Sequence, residues 1–122
     1  KCDNFEDAKT EINTLIKNNI KFDGVFSVND NTAAGAIVAL KNNNIKIPEQ
    51  VSVMGYSNDL VSKLMSPKLS TVEQPGYLMG YTATKLLIER LESEKEIRPR
   101  TEVVSTKLIL RESTKNIGSG LK

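Results

Sequence analysis

Three short apolar runs, each followed at once by polar side chains, constrain the fold of this chain more than any other feature. The runs are residues 24–28, 51–56 and 69–72. Short, nearly continuous apolar runs are typical of strands that are buried on both faces of a parallel sheet. Segments with helical spacing separate them, so strands and helices alternate along the chain. The pattern predicts the α/β class: a parallel sheet with flanking helices and right-handed crossovers.

The helical segments differ in how their apolar residues are distributed. Near the start, four apolar residues fall on one face after a capping Asn4: Ala8, Ile12, Leu15 and Ile16. Residues 32–40 are apolar almost all round, so that helix needs cover on more than one side. A short helical turn is expected at 60–64 and a longer helix at 77–91. In the longer helix the residues expected to face inward are Gly80, Ala83, Thr84, Leu87, Ile88 and Leu91. Alternation over 103–110 predicts a final eight-residue strand.

Composition excludes several classes of protein. The 122 residues carry 17 basic and 15 acidic side chains, scattered along the chain rather than clustered as on a nucleic-acid-binding surface. We expect no membrane span, because no apolar stretch is long enough. The lone Cys2 and the lack of a signal-peptide pattern favour a cytoplasmic location. The chain begins with Lys1 rather than Met, so we expect a truncated segment.

The polar clusters mark a candidate ligand site. Ligands of open parallel sheets bind beyond the carboxyl ends of the strands. Asn29-Asp30-Asn31, Ser57-Asn58-Asp59 and Glu73-Gln74 occupy such positions. Their amides, hydroxyls and carboxylates suit a polyol such as a sugar. The alternative is a capping role: Asp30 or Asn31 would cap the helix at 32–40, and Asn58 the short turn.

Residue types that carry catalysis are scarce. The sequence contains no His, which removes imidazole-based triads and metal sites. The phosphate-binding motifs GxGxxG and GxxxxGK[ST] do not occur. We therefore expect neither an enzyme nor a metal or cofactor.

Several runs, in order and spacing, resemble LacI/GalR-family transcriptional regulators. They are Phe-Ser-Val-Asn-Asp at 26–30, Ile-Lys-Ile-Pro-Glu-Gln-Val-Ser-Val-Met-Gly-Tyr at 45–56, Leu-Ser-Thr-Val-Glu-Gln-Pro at 69–75 and Leu-Arg-Glu-Ser-Thr at 110–114. The resemblance extends over nearly all of residues 22–115. It implies the C-terminal part of a two-lobed effector domain of the periplasmic-binding-protein type, which binds a small molecule between its lobes. Operator DNA would be read by an N-terminal domain that lies outside this chain.

The resemblance also assigns roles to residues. It implies effector contacts at Asn29, with Asp30 beside it, Ser57 and Gln74. Many members carry an Asp where this chain has Ser57, and some have an aromatic residue at Gly76, so the effector stays open. A transport-associated sugar-binding protein of the same fold is the alternative function. Residues 1–75 would belong to the C-terminal lobe, 76–115 would form the crossover helix and final strand, and 116–122 a disordered tail.

A homodimer is also expected. In the family, the counterparts of the helix at 32–40 and of residues 61–65 lie at a two-fold interface, and the apolar pattern of that helix points to the same surface. The expected interface residues are Ala34, Val38, Val61, Leu64 and Met65.

Overall fold

Helices and strands alternate along the chain, as the apolar pattern predicts. The structure is a computed structural model that describes residues 3–93 and 96–115. Its elements are α1 (Phe5–Lys17), β1 (Gly24–Phe26), α2 (Asp30–Asn42), β2 (Ser52–Ser57), α3 (Leu60–Leu64), β3 (Ser70–Glu73), α4 (Gly76–Glu92) and β4 (Lys107–Ile109). The expected eight-residue final strand is wrong in length, since β4 has three residues. The tail predicted at 116–122 lies outside the described residues.

The sheet has the strand order β1-β2-β3-β4. β1 runs parallel to β2, with Phe26 opposite Met54. β2 runs parallel to β3, with Ser57 opposite Glu73. The expectation that residues 24–28 are buried on both faces is wrong for Phe26 and Val28, which are 67% and 62% exposed. β1 has a neighbouring strand on one side only, and Val28 lies beyond the end of β1.

α2 is the centre of the core. Its residues Ala33, Ala36, Ile37, Ala39 and Leu40 are buried together with Ile12, Val51, Val53 and Leu69. The helix contacts α1, α3, β1 and β2, so its two apolar sides are covered within the chain. Gly35 permits the approach of α1, because a Cβ there would fall on the backbone carbonyl of Phe5.

The chain divides into two compact units. One consists of the residues up to Glu73 and those from Leu108 onward, and the other is Gln74–Lys107. In the second unit, Arg100 Nη2 donates to Glu89 Oε2 of α4 at 2.9 Å. α4 has no buried residue, so the expected inward face is wrong: all six of its residues are exposed. The less exposed positions of α4 are instead Thr82, Leu86 and Glu89, which share another face of the helix.

The helices were compared with the length and hydropathy that a membrane span requires. Within residues 3–93 and 96–115, none combines the length and the hydropathy that a membrane span requires.

The close contact at Gly35 makes a stability prediction. We expect Gly35→Ala to lower the free energy of unfolding by about 2 kcal/mol, since the methyl group would push α1 away from α2. Gly80→Ala is the matched control, because Gly80 is also helical and no atom lies within 4 Å of its Cβ position. That control should be neutral or stabilising by about 0.5 kcal/mol. Urea unfolding followed by circular dichroism measures both, and equal values would contradict the assigned contact.

Candidate functional site

The segments that follow β1 and β2 meet at the carboxyl edge of the sheet. The Asp59 amide donates to Asp30 Oδ2 at 2.7 Å, which joins the start of α2 to the loop after β2. Asn58 Nδ2 donates to Glu73 Oε1 at 2.8 Å, which joins that loop to the end of β3. The edge therefore gathers amide, hydroxyl and carboxylate groups within a few ångströms, as expected for an open parallel sheet.

Asn29 is the N-cap of α2. Its Oδ1 accepts the Thr32 backbone N–H at 2.7 Å, and its Nδ2 donates to the Asp3 carbonyl at 3.1 Å. The helix thus begins at Asp30, two residues earlier than expected. The cap is Asn29 rather than Asp30 or Asn31, so the capping alternative names the wrong residue for α2. It is also wrong for Asn58, because the N-cap position of α3 is Asp59 and no side chain caps that helix.

Asp30 lies beneath the loop and is fully buried. Its Oδ1 accepts the Thr71 hydroxyl at 2.6 Å, and its Oδ2 accepts the Asp59 amide. Gly55 makes room for it, since a Cβ at Gly55 would collide with Asp30 Oδ1. With both oxygens bonded and no exposed surface, this carboxylate supports the loop and has no face open to a ligand.

Ser57 and Asn58 form a strained turn. Their φ angles are 122° and 59°, in the left-handed region that favours glycine. Asn adopts this region more readily than other side chains do, whereas Ser at such an angle costs roughly 1–3 kcal/mol. Ser57 Oγ donates to Asp59 Oδ2 at 2.7 Å and keeps acceptor capacity. This strained backbone conformation places the Ser57 hydroxyl at the carboxyl edge of the sheet, where a ligand is expected.

Arg111 is a site residue that the sequence analysis did not identify. Its Nη2 donates to Asn58 Oδ1 at 2.6 Å. Its Nη1 donates to the Leu69 carbonyl at 2.6 Å and to Ser62 Oγ at 3.1 Å. The signal that could have found it was its place in the closing Arg-Glu-Ser-Thr run, which carries part of the family resemblance.

Gln74 differs from the other three candidates in its location. It is the first residue of the second unit, Gln74–Lys107, and it is exposed. Asn29, Asp30 and Ser57 all belong to the first unit. The structure therefore brings three of the four candidates together.

The expected interface residues vary in exposure. Leu64 is 74% exposed, whereas Ala34 is only 2% exposed. Val38, Val61 and Met65 are half-buried. Among these residues, Leu64 therefore exposes the largest fraction of its side chain.

The chain is similar to known transcriptional regulators. The profile of the periplasmic binding protein-like domain family matches residues 3–114. The HTH-type transcriptional regulator RegA of Clostridium saccharobutylicum is 43% identical over 96 residues, which are 79% of this chain and 29% of that protein. The ribose operon repressor of Halalkalibacterium halodurans is 34% identical over 110 residues, 90% of this chain and 33% of the repressor. The chain thus spans about a third of the length of these relatives.

A solved structure supports the same likeness. The LacI family transcriptional regulator from Arthrobacter sp. FB24, in complex with lactose, superposes with a TM-score of 0.79 at 28% identity. The match covers 92% of this chain and 42% of that one.

The buried carboxylate makes a second prediction. We expect Asp30→Asn to lower the free energy of unfolding by about 2 kcal/mol, because both hydrogen bonds lose the charge of their acceptor and the Thr71 hydroxyl must turn to accept from the amide. Asp23→Asn removes the same charge from an exposed position and should stay within about 0.5 kcal/mol of the parent. Chemical denaturation of both variants tests this, and an unaffected Asp30→Asn would remove Asp30 from its supporting role.

Proposed function

We propose a function from one premise: this chain belongs to the periplasmic binding protein-like domain family, in the form found in LacI-type transcriptional regulators. It is the C-terminal part of the effector-sensing domain of such a regulator. In the complete protein, a small effector binds between two lobes and shifts the equilibrium between operator-bound and released states.

The strained loop after β2 is the observation that carries this proposal. Ser57 holds a hydroxyl at the carboxyl edge of the sheet at the cost of an unfavourable φ. Asn29 lies at the same edge, after β1. Ser57 Oγ keeps acceptor capacity, and Asn29 Nδ2 keeps a second N–H, so together they can accept from and donate to the hydroxyls of a sugar. Asp30 contributes by holding the loop, and the family resemblance implies a further effector contact at Gln74.

The names of similar proteins favour a sugar. One relative is a ribose operon repressor, and one solved regulator is a complex with lactose. Ser57 and Asn29, the side chains offered at the edge of the sheet, are uncharged and suit hydroxyl groups. We therefore propose a neutral polyol as the effector.

Operator binding is assigned to a domain that precedes this segment. The near-balanced charge, +2 over 122 residues, gives little attraction to phosphates. We further propose that the protein is a regulator without catalytic activity that acts in the cytoplasm as a homodimer. A helix-turn-helix encoded upstream would support regulation, whereas a signal peptide would support the transport alternative.

The effector proposal predicts a specific effect of Asn29→Asp. The carboxylate preserves an acceptor for the Thr32 N–H, so α2 stays capped, while the amide N–H donors are lost. We expect about a tenfold weaker affinity for the sugar, about 1.4 kcal/mol, with operator affinity unchanged.

The measurement uses the full-length regulator that carries this chain. Ribose and lactose are the first probes in a thermal-shift screen, and calorimetry gives the affinity of whichever binds. Asn42→Asp, at the exposed end of α2, controls for the added charge. Unaltered sugar affinity in Asn29→Asp would reduce Asn29 to a helix cap.

The dimer proposal makes a prediction about Leu64. Since Leu64 offers the largest exposed area among the expected interface residues, Leu64→Asp should raise the dimer dissociation constant at least tenfold, because it would bury an unpaired charge. Ile20→Asp is the control, at an apolar position that is 53% exposed outside this surface. Light scattering over a concentration series measures both. A dimer indifferent to Leu64→Asp would place the interface elsewhere.

A further inference from the structure

The chain passes between its two units twice, and a side chain near each passage in the sequence bonds Asn58. The first unit ends at Glu73, immediately before the second begins at Gln74. The chain returns to the first unit at Leu108, three residues before Arg111. Glu73 and Arg111 are the two side chains that bond the Asn58 carboxamide.

Both the nitrogen and the oxygen of the Asn58 carboxamide form hydrogen bonds to charged side chains. Its Nδ2 donates to Glu73 Oε1 at 2.8 Å, and its Oδ1 accepts from Arg111 Nη2 at 2.6 Å. An amide side chain can donate to a carboxylate at one end and accept from a guanidinium at the other without carrying charge. A carboxylate at this position would instead face Glu73 with like charge.

Arg111 is itself firmly held. Besides Asn58, its guanidinium bonds the Leu69 carbonyl and Ser62 Oγ, and its backbone N–H donates to Ser70 Oγ at 2.7 Å. A guanidinium with several fixed acceptors is a rigid donor. The return segment is thus fastened to β3 and α3, and Asn58 attaches the loop after β2 to it.

We propose that Asn58 is a positioning residue that ties the loop carrying Ser57 to both chain connections between the units. The loop is strained at Ser57, and such strain persists only where surrounding bonds over-determine the backbone. A displacement of Ser57 therefore displaces Glu73 and Arg111 through the bonds of Asn58. A displacement of either connection likewise moves Ser57. If the proposed function holds, the bonds of Asn58 couple effector binding to the two chain connections, and this thermodynamic coupling is reciprocal.

The test exchanges the donor and the acceptor between positions 58 and 73. Asn58→Asp puts two carboxylates face to face and breaks the link to Glu73, while the bond to Arg111 can persist. Adding Glu73→Gln restores a bond of opposite polarity and also the original net charge. Glu73→Gln alone should be mild, since its amide can still present an oxygen to Asn58. Asn42→Asp, exposed at the end of α2, controls for charge alone.

The first measurement needs no effector. Hydrogen–deuterium exchange on the full-length regulator follows peptides that cover residues 55–60, 70–76 and 106–112. In Asn58→Asp we expect faster exchange in residues 55–60 and 70–76, with 106–112 near the parental rate because the bond to Arg111 persists. In the double variant we expect a return to parental rates. Faster exchange confined to residues 55–60, or no rescue, would overturn the proposal whether or not the protein binds a sugar.

The second measurement addresses the response to ligand. Operator dissociation constants are compared without sugar and with saturating ribose or lactose. We expect Asn58→Asp to reduce the ratio of the two constants at least about fivefold, the lower end of ordinary allosteric coupling, and the double variant to restore it. Weaker sugar binding with an unchanged ratio at saturation would overturn the coupling role. A parental protein that responds to no sugar would instead refute the proposed function, and the exchange experiment would still decide the role of Asn58.

Discussion

The buried carboxylate of Asp30 is the interaction on which the carboxyl edge of the sheet depends. Removing a charge from water without partners costs several kcal/mol, so the folded chain must bring donors to it. It does so from two directions: the Asp59 amide comes from the loop after β2, and the Thr71 hydroxyl comes from β3. A single side chain at the start of α2 therefore sets the relative positions of three segments, and the Ser57 hydroxyl is placed as a consequence.

Small residues make this arrangement possible. Gly35 lets the backbone of α1 approach α2, and Gly55 lets the Asp30 carboxylate lie against β2. The other small residues of α2, among them Ala33, Ala36 and Ala39, are fully covered. Close packing of this kind leaves little freedom for α2 to shift, because even one added methyl group must be accommodated by its neighbours. The site thus rests on a rigid helix, while its strained turn stores conformational energy.

Around the Ser57 turn, polar contacts form one connected set rather than isolated pairs. Asn58 bonds Glu73 and Arg111, and Arg111 bonds Ser62 and Leu69. In a partly buried setting such bonds reinforce one another, and the loss of one partner leaves others unsatisfied. Isolated capping bonds would not connect these residues to one another. Through this network the Ser57 turn is bonded to Glu73 and Arg111, which lie near the two chain connections between the units.

The sequence by itself determined the α/β class, the order of the elements and the sheet edge where polar groups gather, because apolar period and run length report which backbone geometry buries a segment. Tertiary structure alone decided what the polar residues do. Asn29 caps α2, Asp30 is buried beneath the loop, and Arg111 reaches Asn58 across 53 positions of the chain. The length of β4 and the exposure of the α4 face also depended on neighbouring segments. The physical reason is that periodicity is local, whereas the partner of a hydrogen bond is chosen by whichever distant segment the fold brings within 3 Å.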